Sequence, residues 1–129
     1  MSFAFCSVAD YAEAYREGRC TPVDVAQRLL KALDQSERRD PPLRVFIAQS
    51  QPDLLAQAEA SAARHAAGEA LSIFDGVPVA VKDELDQRGY PTTVGTRFLG
   101  HRGPAAADAE AVARLRAAGA LLIGKANMQ

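Results

Sequence analysis

The sequence is short of the features that usually place a protein quickly. Only two cysteines, Cys6 and Cys20, occur in 129 residues. Neither a C-x-x-C pairing nor a histidine cluster accompanies them, so a zinc site has no support and two reduced thiols in a cytosolic protein is the reading that fits. No stretch approaches the roughly twenty apolar residues of a membrane span. The opening MSFAFCSVAD lacks a basic segment followed by a long apolar run, which argues against a secretory leader and for a cytoplasmic protein. Charge of one sign is missing too: the formal net charge is -1 and the arginines are scattered, so neither nucleic acid nor an acidic membrane surface is an expected partner. There is no G-x-S-x-G elbow and no Ser/His/Asp order to propose. The two histidines read as solvated or structural, His65 inside a polar alanine-rich helix and His101 in a glycine-rich turn.

What is present is ordinary globular material. Hydrophobic residues make up 48% and charged residues 24%, enough for one domain with a real core. Ser7 opens SVADYAEAYREG with an acidic residue three positions on, and Val8, Tyr11, Ala12 and Tyr15 share a helical face before Gly18 stops it. Thr21 and Pro22 open a second helix, with Ala26, Leu29, Leu30 and Leu33 as its buried stripe. After RRDPPL, the RVFIAQS stretch is short and extended, and Pro52 starts an alanine-rich helix running to about Gly68.

The second half changes character. VPVAVK alternates as a strand and leads into DELDQRGYPTTVGTRFLGHRGPAA, a loop too long to be an idle connection. Asp108 is the expected cap of AEAVARLRAAG, whose apolar face is Ala111, Val112, Leu115 and Ala118, and Gly119 gives way to the apolar run ALLIG. Strand, loop, helix, strand predicts an α/β layer in which ALLIG lies parallel to VPVAV with the helix as crossover. The expected organisation is a single partial domain, mainly helical over residues 1–70 and strand, loop, helix and strand over 71–129. GALLIGKA has the G-x-x-x-x-G-K spacing of a phosphate loop. Ala126 stands where a Ser or Thr should hold magnesium, however, and Leu121 to Ile123 belong in a buried strand, so a glycine cap followed by a strand is the better reading.

Lys82 is what remains of simple nucleophilic machinery. A lysine at the end of an apolar strand is ordinarily a snorkelling side chain with its ammonium in water. The alternative is a functional base. A lysine with the usual pKa near 10.4 needs roughly 4 to 5 kcal/mol to lose its proton at neutral pH, and burial can lower that cost. That reading predicts a Lys82 that is buried or faces a concave surface. Asp83, its neighbour in the strand, should point the other way.

FDGVPVAVKDELDQRGYPTTVGTRFLG followed by DAEAVARLRAAGALLIGKANM closely resembles the N-terminal part of the amidase signature enzymes. The resemblance combines a G-[VI]-P-V-A-V-K-D strand, a T-T-x-G-[ST] loop, a D-A-x-x-V-x-x-L-x-x-A-G-A helix and G-K-[TA]-N-M, in order, across Asp75 to Met128. The wording is nearest to general amidases and plant-type fatty acid amide hydrolases. It implies helices on a mixed, partly parallel sheet. It also implies a Ser, cis-Ser, Lys triad in which Lys82 is the general base, acting through a bridging serine on a nucleophilic serine. The implied reaction is hydrolysis of a carboxylic amide through an acyl-serine, with neither metal nor organic cofactor. The implied partners are a small or acyl amide, with self-association also admitted; in this family glutamine can serve as substrate when the amidase is a subunit of a tRNA-transamidating complex.

In that family the two serines lie in a Gly/Ser-rich segment beyond GKANM. Ser2, Ser7, Ser36, Ser50, Ser61 and Ser72 all precede Lys82, and none sits in such a run. The chain is therefore expected to be an N-terminal segment of an amidase, inactive by itself. Its rivals are a non-catalytic binding or scaffold module with an amidase-like half-fold and, resting on the GALLIGKA spacing alone, a nucleotide-binding domain.

Overall fold

The computed structural model describes residues 6–128. Both N-terminal helices begin with reciprocal caps. Ser7 opens α1 (Val8–Arg16), its hydroxyl accepting from the Asp10 amide while Asp10 accepts from the Ser7 amide; Thr21 and Asp24 do the same for α2 (Pro22–Glu37). Each cap satisfies backbone donors that a helix start leaves open. Ser50 caps α3 (Gln51–Ala66), so this helix begins one residue before Pro52. Between α2 and α3 runs β1 (Phe46–Gln49); β2 is Pro78–Lys82, α4 is Glu110–Ala117 and β3 is Leu121–Ala126. The long loop contains a 3-10 turn at Leu99–Arg102, which carries an exposed His101.

The sheet order is β1-β3-β2, with β3 antiparallel to β1 and parallel to β2. ALLIG thus lies beside VPVAV with α4 as the crossover, as the pattern of strand, loop, helix and strand predicts. β3 is central and its residues 121–125 are all buried. Its alternation serves two layers. Leu121 and Ile123 pack with Ala26, Leu54 and Ala58 of α2 and α3, joined by the part-buried Leu29, Leu30, Leu33 and Phe46. Leu122 packs with Val81 and with Val112 of α4. Where β1 has ended, the Gln57 side chain of α3 takes over as a pairing partner. Its Oε1 accepts from the Leu122 amide at 2.8 Å and its Nε2 donates to the Leu122 carbonyl at 3.0 Å, leaving neither buried group without a bond.

Two expectations need correction. Asp108 does not cap α4; Ala109 holds that position and makes no side-chain bond. The Asp108 carboxylate instead takes a fork from Arg116, at 2.6 and 3.0 Å, and the Arg88 amide at 2.8 Å. A charge-assisted two-pronged bond is stronger than one bond to a helix amide, which explains the choice. Ala111, expected on the apolar face, is exposed; Val112 and Leu115 carry that face.

Register slips once within the β2–β3 pair. Val79 faces Leu122 and Val81 faces Lys125, so β3 spends an extra residue between these pairs, and a bulge of this kind reverses which face the following side chains take. Gly124, at φ +154°, makes it possible: a Cβ there would press on the Ala48 carbonyl oxygen and come within 3.2 Å of the Gln49 Cα. Gly124→Ala is therefore expected to cost about 1–3 kcal/mol and to detach β1. Urea unfolding and amide exchange over residues 46–49 read this; unchanged protection of β1 would contradict it.

Candidate active site

Lys82 ends β2, an edge strand, and the register places it opposite Ala126. Of the two placements expected of it, burial or a concave surface, the first is not met. Its side chain is 59% exposed and its ammonium lies 3.2 Å from the Glu84 carboxylate. The reason is local: Val81 turns into the α4 layer, so Ala80 and Lys82 stand on the opposite face of β2, where both are exposed. The described residues supply little of the shielding that a base would need.

Asp83, the first residue past β2, has a fully buried side chain where that of Lys82 is exposed. Its partner is Lys125, also fully buried, with Nζ 3.1 Å from Asp83 Oδ1. Lys125 donates as well to the Thr92 hydroxyl at 2.9 Å and the Pro91 carbonyl at 3.3 Å, which engages all three donors of an ammonium. Asp83 accepts further bonds from the Thr93 hydroxyl and, at 3.2 Å, from the Thr93 amide. Burial pushes the Asp83 carboxyl up, but the Thr93 and Lys125 bonds together with the Lys125 charge outweigh it and hold the group below its ordinary value. The Thr92 hydroxyl donates onward to Asp86 at 2.7 Å.

This network joins the strand end to the TTVGT loop and β3. The sequence alone does not reveal it, because Lys125 falls within the phosphate-loop-like spacing GALLIGKA, which reads as a glycine cap followed by a buried strand. A partial signal is present: Lys125, like Lys82, is a lysine in an apolar strand, and Thr92 and Thr93 are adjacent hydroxyls in a loop of conspicuous length.

A second buried carboxylate, Asp75, stands just before β2. It takes two bonds from Arg64, both 2.8 Å, one from the Ser61 hydroxyl at 2.6 Å and one from the Leu71 amide at 2.9 Å. Burial raises this carboxyl, and the Arg64, Ser61 and Leu71 bonds outweigh it and lower it. Gly119 lies against it so closely that a Cβ there would be 2.6 Å from the Asp75 Cγ. His65 belongs to the same knot, its Nε2 2.9 Å from the Asp75 carbonyl and its ring 4.9 Å from that of Tyr15; the Tyr15 hydroxyl donates to the Gly76 carbonyl at 2.7 Å. This histidine is structural. Ser61, the fully buried serine, is spent on Asp75. Cys6 and Cys20 form no disulfide. Among the described residues no group of three or more His, Cys, Asp or Glu could hold a metal ion, and no helix is long and apolar enough to cross a membrane.

The chain that carries this strand-end lysine, threonine loop and crossover matches a known family. The amidase family model covers residues 27–129. Fatty acid amide hydrolase of Oryza sativa subsp. indica is 39% identical over 126 residues, 98% of this chain and 21% of that protein. The Arabidopsis thaliana fatty acid amide hydrolase is 37% identical over 127 residues, again 98% and 21%. Among solved structures, native peptide amidase from Stenotrophomonas maltophilia superposes with a TM-score of 0.88 at 29% identity, covering 98% of this chain and 25% of that one. The chain belongs to the amidase signature family, and its α/β architecture is that of an N-terminal part of the amidase fold. It spans about a fifth of the length of the plant relatives.

Proposed function

We propose that this chain is the base-bearing N-terminal segment of an amide hydrolase, with Lys82 as the general base of a Ser, cis-Ser, Lys triad whose serines come from a segment beyond these residues. The observation that carries the reading is the division of labour between two lysines near the paired ends of β2 and β3. Lys125 is sealed, with its three donors engaged. Lys82, in the matching G-V-P-V-A-V-K-D strand, stands on the open face with its amine reachable.

In the proposed reaction the nucleophilic serine Oγ attacks the amide carbon. Its proton passes to the bridging serine while that serine's proton passes to the neutral Lys82 amine. The C–N bond then breaks as the leaving amine takes a proton back along the same path, and water hydrolyses the acyl-serine by the reverse relay. The proposed substrates are carboxylic amides, acyl amides foremost, since fatty acid amide hydrolases are among the proteins 37–39% identical to this chain.

The exposure of Lys82 and its pairing with Glu84 favour a second reading, a non-catalytic module that keeps the half-fold. One assay separates the two: ammonia release from a simple amide by the 129-residue chain and by a polypeptide extended through a serine-bearing segment. The expected result is release by the extended polypeptide only, unaffected by metal chelators. Release by the short chain, or none by an extended polypeptide that folds, would overturn the proposal.

A further inference from the structure

The residue after Lys82 is fixed more heavily than a strand end requires. The Asp83 amide donates to the Ala126 carbonyl at 3.2 Å and the Asp83 carbonyl accepts from the Val94 amide at 2.9 Å. Its side chain is held by Thr93 and Lys125. Lys82 itself is bonded through its carbonyl, which accepts from the Leu85 amide at 3.0 Å.

The loop that provides these bonds is under strain. Val94 has φ +52°, a conformation that a β-branched residue adopts only when its surroundings impose it, at a cost on the order of 1–3 kcal/mol. Its bond to the Asp83 carbonyl, next to Thr93 bound to the Asp83 carboxylate, is what imposes it. A buried ion pair is moreover a poor choice for stability alone, because apolar residues of similar volume often do as well or better. Two costly devices, a buried pair and a strained turn, thus converge on the backbone carrying the one exposed lysine of the strand.

We propose that Asp83, Lys125 and Thr93 are positioning residues: together they lock the exit of β2 and so set the direction in which Lys82 presents its amine. The side-chain relay runs from Lys125 on β3 through the Asp83 carboxylate to Thr93, and the Val94 amide holds the Asp83 carbonyl beside it. It clamps the strand end from the face opposite Lys82, so the base is aimed without being touched. Lys125 is itself aimed by the bulge at Gly124, which turns it to the face of Val81.

This inference rests on the assignment of Lys82 as base, and its test is built to fail separately. In the extended polypeptide, Asp83→Leu with Lys125→Met replaces the pair by apolar residues, so that no lone buried charge remains and folding survives. Thr93→Val, which removes a single hydroxyl, is the milder second variant. For both, the expected result is near-native thermal stability and KM with kcat reduced about 10²-fold for the double variant, the scale of a misplacement of about 1 Å at the reacting groups. Thr93→Val should lose less.

The same substitutions made on Lys82→Ala should lower the residual rate no further, because residues acting through one group are non-additive with its loss. A purely structural role would leave kcat intact in the folded variants or add its loss to that of Lys82→Ala; either result refutes the positioning role while leaving the base assignment standing. Undiminished activity of Lys82→Ala alone would instead refute the base assignment.

Discussion

Lys82→Ala in the extended polypeptide is expected to lower kcat for amide hydrolysis by at least about 10²–10⁴-fold, the range a positioned general base contributes, with a much smaller change in KM. The expectation follows from what the side chain does in the proposed relay. It touches the bridging serine and not the acyl group, so its loss removes proton transfer and leaves ground-state binding almost untouched. Lys82→Arg should fail nearly as badly. A guanidinium stays protonated and cannot accept the serine proton, although it could keep an ion pair with Glu84. Folding should be indifferent to both changes, since the side chain is 59% exposed and its ion pair with Glu84 is a surface one, of the kind that contributes little to stability. Steady-state kinetics beside a thermal melt therefore separate the outcomes. Full activity in the alanine variant, or an arginine variant as active as the native lysine, would remove Lys82 from the mechanism.

The surface position of Lys82 shows where the sequence was legible and where it was not. The Val77–Val81 alternation, Pro78 near its start and the loop residues beyond it are local signals, and they brought β2 to its observed end at Lys82. The helix starts were legible for the same reason: Ser7 with Asp10, and Thr21 with Asp24, are caps written within four residues. Burial of Lys82 was not a local property. It depends on what lies over the face of β2 that carries Ala80 and Lys82, and periodicity within one strand says nothing about the neighbour that covers it.

The Asp83–Lys125 pair was illegible for a related reason. Forty-two positions separate the two residues, and their meeting requires both parallel pairing of β2 with β3 and a bulge at Gly124 that turns Lys125 to the Val81 face. Without that bulge, simple alternation would put Lys125 on the side of Leu121 and Ile123. Asp108 failed differently. Its position before an apolar helix is a cap signal, but the same helix brings Arg116 within 2.6 Å, and a competing charged donor eight residues away does not register in a four-residue capping pattern.

Arg64→Met should destabilise the chain by about 3–5 kcal/mol at pH 7, because it strands the Asp75 carboxylate in a site with no solvent exposure. The loss should depend on pH with a definite sign. In the native protein the Asp75 carboxyl is held below its ordinary value, chiefly against burial, by Arg64, Ser61 and the Leu71 amide. Its contribution is therefore present above the unfolded carboxyl pKa near 3.9 and is lost as pH falls through the lower folded value. Without Arg64 the largest influence left on the group is burial, which favours the neutral acid. Protonation then relieves the variant where it weakens the native protein. The gap between native and variant stability should narrow as pH is lowered from 7 towards 3, even though both proteins become less stable in absolute terms as Asp83 and Asp108, also held low, take up protons. Urea unfolding followed by circular dichroism at pH 7, 5 and 3 reads the gap directly. A gap that stays constant would mean that Arg64 serves by packing its stem over the core, and one that widens on acidification would show that the Asp75 knot is not held by charge.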